Sequence, residues 1–304
     1  MPEATSQKYL DPKVLGKITK LELRARLVVE GFVTGMHRSP YRGFSVEFAQ
    51  HREYVPGDDI RYLDWKIWGK SDRLYIKEYE EETNLRAHLF VDQSESMAYG
   101  HEGGMAKFDY GATAAASLAF LIQQQADAVG LTLFAENVMK TIPTSNTRQN
   151  LATIFKALTE AKPSNKTRIG PVLLDLAAQL RTRGMVIVFS DLFDEPASVL
   201  RGLSALAQRG HDVVVFHVLD KDEVEFPFER MTLFQGLEQL PELLVDPRSL
   251  KDAYLKEIEE FQAAIKKGCI TQNIDYVRVV DHQPLDVVLT SYLSARTART
   301  KRRK

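Results

Sequence analysis

Asp92, Ser94 and Ser96 stand at alternate positions in the run Asp92-Gln93-Ser94-Glu95-Ser96-Met97. Three small oxygen-bearing side chains at that spacing, in a loop leaving an apolar run, can converge on one hard cation. Magnesium takes oxygen ligands in near-octahedral geometry at about 2.0–2.1 Å and keeps some of its waters. Two neutral hydroxyls and few carboxylates leave a divalent ion under-neutralised. It then attracts a further anionic oxygen, which an acidic side chain of a partner protein can supply. Loops after other strands should complete the set. Thr167 lies in Lys166-Thr167-Arg168-Ile169-Gly170, just before an expected helix, and Asp191 follows the apolar run Met185–Phe189 and Ser190. The five expected ligands are therefore Asp92, Ser94, Ser96, Thr167 and Asp191. The expected ion is Mg2+, with Mn2+ or Ca2+ as alternatives. Each residue also has a plainer role: Ser94 and Ser96 suit turns or helix caps, Thr167 a helix N-cap, and Asp191 a loop cap.

Other chemistry is poorly represented. The chain has no Gly-x-x-x-x-Gly-Lys-Ser/Thr phosphate loop, so it is not expected to hydrolyse ATP. His101-Glu102-Gly103-Gly104 lacks the second histidine of a zinc-protease helix. Ser94 lacks the Gly-x-Ser-x-Gly elbow of a nucleophilic serine. His211 and His217 flank or lie within an expected strand and read as structural histidines. The expectation is a binding protein and not an enzyme. The alternative is a metal-assisted hydrolase using the same Asp/Ser/Thr set, which would need a general base and an open cleft.

The elements that must position these residues follow from periodicity. Val14–Val29 places apolar residues at near-helical spacing. Residues 31–82 hold both tryptophans and the turn signal Pro56-Gly57-Asp58, and read as short strands and turns. From Leu85 onward strands and helices alternate. Expected strands are Leu85–Val91, Val129–Phe134, Val138–Ile142 (a short edge strand), Met185–Phe189, Val213–Val218 and Ile274–Val279. Expected helices are Lys107–Ala126, Leu151–Thr159, Pro171–Arg181, Val199–Gln208, Leu250–Lys267 and Leu285–Ala295. This alternation predicts an α/β fold, a doubly wound, mostly parallel sheet with helices on both faces. Such sheets place their sites at the carboxyl ends of strands, near the topological switch point. The expected division is an N-terminal helix-and-strand part over residues 1–84, the sheet domain over 85–295 and a basic tail over 296–304.

Composition excludes several classes. Of 304 residues, 44% are hydrophobic and 27% charged, the balance of an ordinary globular chain and not of a disordered one. Forty basic against 41 acidic residues leave a formal net charge of −1, so no specific nucleic-acid partner is expected. The single cysteine, Cys269, rules out an internal disulfide and a cysteine-rich zinc site. The N-terminal residues carry no signal-peptide pattern, and no apolar run approaches the roughly 20 residues of a membrane helix. The expectation is a cytoplasmic protein without a membrane span. The tail residues Arg296, Arg299, Lys301, Arg302, Arg303 and Lys304 read as a solvated, frayed terminus.

Asp92-x-Ser94-x-Ser96, followed by Thr167 and Asp191 in that order, resembles the metal-ion-dependent adhesion site of von Willebrand factor A domains. Upstream, Tyr41-Arg42-Gly43-Phe44-Ser45-Val46-Glu47-Phe48 leads into Tyr54-Val55-Pro56-Gly57-Asp58-Asp59-Ile60-Arg61-Tyr62-Leu63-Asp64-Trp65-Lys66. Together with Leu74–Glu82, this resembles the bacterial family called domain of unknown function 58. That family joins such a signature to a von Willebrand factor A domain. Arg209-Gly210-His211-Asp212-Val213 resembles a later family motif, with Gly210 inserted. The resemblance covers about residues 25–290. It implies an adaptor that works with a MoxR-type AAA+ ATPase in chaperone-like assembly or activation of other proteins, with a client that donates an acidic residue. The signature charges Asp58, Asp59, Arg61 and Asp64 around Trp65 read either as an internal ion-pair network seating this region or as a docking surface.

Overall fold

The computed structural model describes residues 12–15, 18, 20–38, 51–53, 75–77, 85–234 and 243–303. The chain divides into two packing units, one of residues 1–35 with 85–304 and the other of residues 36–84. The N-terminal part expected over 1–84 is thus divided, its first helical residues packing with the sheet.

In the larger unit, strands β3 (Arg86–Asp92), β4 (Ala128–Phe134), β5 (Val138–Ser145), β6 (Met185–Ser190), β7 (Asp212–Leu219) and β10 (Asp275–Val280) form one sheet in the order β10-β7-β6-β3-β4-β5. All neighbours are parallel except β4 with β5. The edge strand β5 contains Pro143, whose missing N–H is tolerated at a sheet edge. The chain winds outward from β3 to β4 and β5, returns to β6 on the other side of β3, and continues to β7 and β10. The switch point therefore lies between β3 and β6, where Val91 is paired with Phe189.

Period-two alternation in the strands feeds two separate cores. Leu89, Val91, Leu131, Leu133, Ile187, Phe189, Val214 and Phe216 belong to one apolar cluster. Phe90, Phe134, Val186, Val188, Val213 and Val215 belong to the other. Helices α1 (Pro12–Leu15), α2 (Leu21–Arg38), α3 (Lys107–Gln124), α4 (Arg148–Glu160) and α9 (Leu285–Arg303) contribute to the first cluster, and α5 (Ile169–Gln179), α6 (Pro196–Gln208) and α8 (Pro247–Thr271) to the second. The expected doubly wound architecture is what the chain adopts. The inner strands β4 and β6 are almost continuously apolar because both their faces are covered.

Three readings are corrected. Val14–Val29 is not one helix: α1 ends at Leu15, Ile18 and Lys20 are non-helical, and Lys20 accepts the N–H groups of Leu23 and Arg24 as α2 begins. The apolar spacing marks one buried stripe, with Leu15, Leu21, Ala25 and Val28 all in the core, but shared burial does not require a continuous helix. Second, α2 runs to Arg38, into a stretch expected as strands and turns. Gly31 and Gly35 each cost a helix about 1 kcal/mol, too little to stop one already anchored on buried residues. Third, α9 continues past Ala295 to Arg303, so the described residues of the tail extend the closing helix. Arg296 is fixed by ion pairs to Asp212 and Asp275.

Beyond these, a five-residue helix α7 (Lys221–Glu225) and a hairpin of β8 (Thr232–Phe234) with β9 (Leu243–Val245) are too short to show periodicity in sequence. In the smaller unit, β1 (His51–Glu53) pairs antiparallel with β2 (Tyr75–Lys77). The signature residues Asp58, Asp59, Arg61, Asp64 and Trp65 lie outside the described residues. Among the described residues, no helix is long and apolar enough to cross a membrane.

Candidate metal centre

Asp92 is the last residue of β3, and the loop after it turns at once into a short 3-10 turn, Glu95–Ala98. The turn reverses Ser94 and Ser96 so that their hydroxyl oxygens lie 3.1 Å apart. Ser94 occupies the N-cap position but its side chain caps nothing, which removes the simplest structural role for it. The Thr167 hydroxyl lies 3.4 Å from that of Ser96, although 71 residues separate them. Backbone bonds bring the two loops together: Glu95 N–H donates to the Asn165 carbonyl and Ser164 N–H to that of Gln93. Thr167 is not the N-cap of α5 either; that position belongs to Arg168.

The loop after β6 completes the floor. Ser190 donates its hydroxyl to Asp92 Oδ2 at 2.6 Å, and Ser94 N–H donates to Asp92 Oδ1 at 2.9 Å. Asp191 accepts from Phe193 N–H at Oδ1 and from the Lys107 ammonium at Oδ2, the latter at 2.8 Å. Three residues on, Asp194 accepts the Gly170 N–H in the first turn of α5, which ties this loop to the one carrying Thr167. The helix can sit there because Gly170 and Gly202 let α5 and α6 meet backbone to backbone. A Cβ on Gly202 would lie 2.7 Å from the Gly170 carbonyl oxygen.

The structure thus brings Asp92, Ser94, Ser96 and Thr167 into one chain of contacts, with Asp191 on the adjacent strand end. Asp92, Ser94 and Asp191 are fully buried and Ser96 nearly so, leaving half-buried Thr167 as the outermost of the five. Burial, and then the Asp191 charge, push the Asp92 carboxyl up to about 7, against the hydrogen bonds from Ser190 and Ser94.

Three further residues support this floor and are not visible as site residues in the sequence. Lys107, at the start of α3, is 1% exposed and divides its ammonium between Asp191 and Glu223, the latter at 2.5 Å. Burial alone would lower its pKa, but the two carboxylates outweigh burial and hold it above the usual lysine value. Glu223 is in turn raised by burial. His217 lies within 2.9 Å of the Asp191 carbonyl oxygen through Nε2 and 2.7 Å of the Tyr276 hydroxyl through Nδ1. A carbonyl can only accept, so Nε2 carries the proton and Nδ1 accepts from Tyr276. Burial pulls this imidazole down to about 4, in keeping with a neutral ring.

The donor set fits a hard divalent ion. Every ligand candidate offers oxygen, and ligands at right angles on bonds of 2.0–2.1 Å lie about 3.0 Å apart. The Ser94–Ser96 separation matches that edge and Ser96–Thr167 is slightly wider. The Lys107 ammonium is shared between Asp191 and Glu223, which leaves the floor short of positive charge.

One pattern is legible only with the sheet in hand. Strands β3, β6, β7 and β10 end at or immediately before Asp92, Asp191, Asp220 and Asp281, all four fully buried. The strands are parallel neighbours, so four carboxylates line one edge of the sheet.

Comparison with known proteins places the chain in a group defined by sequence. Uncharacterized protein Rv1480 of Mycobacterium tuberculosis is 27% identical over 267 residues, covering 85% of this chain and 83% of that protein. Uncharacterized protein Mb1516 of Mycobacterium bovis matches at the same identity and coverage. Among solved structures, the conserved hypothetical protein BatB from Bacteroides thetaiotaomicron is similar, with a TM-score of 0.47 and 17% identity, over 69% of this chain and 98% of that one. The SpRpn10 VWA domain is similar with a TM-score of 0.39 and 10% identity, over 68% of this chain and 94% of that one. A family model described as Protein of unknown function DUF58 matches residues 50–264, and the chain belongs to that family.

Proposed function

We propose that this chain is a metal-dependent protein-interaction module, working with a MoxR-type AAA+ ATPase in the assembly or activation of other proteins and doing no covalent chemistry itself. The observation that carries the reading is the convergence of Asp92, Ser94, Ser96 and Thr167 at the switch point, with Asp191 alongside. These residues would hold Mg2+, or a similar ion such as Mn2+ or Ca2+. When bound, such an ion supplies a position that attracts an anionic oxygen. Ser190 and the Ser94 amide fix the Asp92 carboxylate, while Lys107 and the Phe193 amide fix that of Asp191. Thr167 and Ser96 form the outer side, so a partner's Glu or Asp would approach there.

The test is capture of a MoxR-type ATPase from the same organism on immobilised protein, in magnesium and in chelator, with wild type and Asp92→Asn. The reading expects capture in magnesium that both chelator and the substitution abolish. Capture unaffected by chelator would remove the metal from recognition. Metal-dependent turnover of a substrate by the purified chain, lost in Asp92→Asn, would favour a hydrolase instead.

A further inference from the structure

A second cluster lies at the same end of the sheet, on the next two strands, β7 and β10. His101 Nδ1 is 3.1 Å from Asp220 Oδ2 and 3.0 Å from Asp281 Oδ2. The three ligand atoms all lie within 4.8 Å of one another. We propose that His101, Asp220 and Asp281 form a second cation site, selective for a first-row transition ion such as Zn2+ or Co2+, separate from the oxygen-only site at Asp92.

The placement follows from the topology. Asp220 follows β7 and Asp281 follows β10, and these strands pair in parallel up to Leu219 and Val280. The two carboxylates therefore leave the sheet side by side. Each uses one oxygen on backbone: Asp222 N–H donates to Asp220 Oδ1 at 2.7 Å and Lys221 N–H to Asp281 Oδ1 at 3.2 Å. The other oxygen of each points at the imidazole. Asp220 Oδ2 also accepts the His101 backbone N–H at 2.8 Å. Such bonds hold ligand orientation, as outer contacts do around metal ligands generally.

The histidine is seated by its own turn. Gly104 N–H closes back on the His101 carbonyl at 2.9 Å, and Gly103 has a φ of +72°. A Cβ on Gly104 would come within 2.2 Å of the imidazole ring, so the turn must be glycine for the ring to lie beneath it. The carboxylates are fully buried, whereas the His101 side chain is 11% exposed and gives an ion its way in.

The chemistry favours a cation over a hydrogen-bond lock. Nδ1 carries at most one proton, yet two carboxylate oxygens converge on it. Two buried carboxylates side by side repel unless a proton or a cation lies between them, and a divalent ion can neutralise both at once. Donors on bonds of about 2.0–2.2 Å sit about 3.0 Å apart at right angles and about 3.4 Å apart in the tetrahedral arrangement of zinc, so the 3.0–3.1 Å between Nδ1 and the two oxygens needs only a small opening to take an ion. Mixed nitrogen and carboxylate donors favour transition ions over Mg2+, which suits carboxylate, carbonyl and water.

The test is titration calorimetry of the full chain with Zn2+ and with Mn2+, together with visible absorption on adding Co2+, for wild type, His101→Gln, Asp281→Asn and Asp92→Asn. Asp281→Asn imitates a protonated carboxyl and keeps a hydrogen-bonded lock intact. The expected result is a Zn2+ binding event and a Co2+ ligand-field band that His101→Gln and Asp281→Asn weaken at least a hundredfold and Asp92→Asn leaves in place. Zn2+ affinity unchanged in both His101→Gln and Asp281→Asn, or no binding by wild type, would overturn the proposal. Loss of the Asp92 site alone would leave this result untouched, so the two sites fail separately.

Discussion

The ammonium of Lys107 lies 2.8 Å from the carboxylate of Asp191, and both side chains are withdrawn from solvent. A lysine with 1% exposure at the first position of a helix is there for its charge. It neutralises part of the floor on which Asp92 and the hydroxyls rest, and it spans to Glu223 in α7.

Removing that charge should have two linked effects. Lys107→Met leaves Asp191 and Glu223 buried without a counter-ion, and breaking a buried pair in this way costs about 3–5 kcal/mol. A divalent ion at the neighbouring site should then restore more stability than it adds to wild type. Urea unfolding with and without magnesium measures both, and an equal magnesium effect in the two proteins would contradict the charge argument.

Asp92→Asn should separate metal binding from stability. Burial and Asp191 already favour the neutral form of this carboxyl, so an amide should leave the fold without metal at least as stable above about pH 7. Magnesium should then raise the melting temperature of wild type and not of the variant. A large loss of stability in Asp92→Asn without metal would show that the carboxylate is a structural group.

The legibility of this site was uneven, and the reason is sequence distance. Asp92, Ser94 and Ser96 fall within one loop, so their spacing could be read directly. Asp191 could be placed because the apolar run before it marked a buried strand. Lys107 could not: its partner Asp191 is 84 positions away, and a lysine opening a helix looks like a solvated residue. Asp220 and Asp281 each follow an apolar strand as Asp191 does, but only the strand order shows that they are neighbours. In the fold, two-sided burial made the sheet strands legible, whereas the break at Ile18 and the run through Gly31 depended on packing that a local pattern does not encode.

His217 should make the fold acid-sensitive. Its folded pKa, about 4, lies below the unfolded value of about 6.5. Between these values the unfolded chain binds the proton and the folded chain does not, so stability is lost as pH falls from about 6.5 toward 4. The loss attributable to this group approaches about 3 kcal/mol at the acid end, at about 1.4 kcal/mol per pKa unit. The check is the unfolding free energy of wild type minus that of His217→Gln across this range. The difference should decline with falling pH, and a difference that stays constant would contradict the account.

Gly202→Ala should weaken the site without touching a ligand. The new methyl would lie 2.7 Å from the Gly170 carbonyl oxygen and from Leu173 Cβ, forcing α5 away from α6. Overpacking of this kind costs about 1–3 kcal/mol. The loop bearing Thr167 precedes α5, so magnesium affinity should fall as well. Unchanged affinity in a destabilised variant would mean that α5 does not set the position of Thr167.

The central claim is that the switch-point oxygens hold a divalent cation. It is tested most directly by anomalous diffraction from crystals of the protein soaked in Mn2+. The account predicts a peak within bonding distance of the Ser94 and Ser96 hydroxyls and beside Asp92, absent in Asp92→Asn crystals treated identically. Saturating Mn2+ with no density among Asp92, Ser94, Ser96 and Thr167, in wild-type crystals that retain this arrangement, would contradict it.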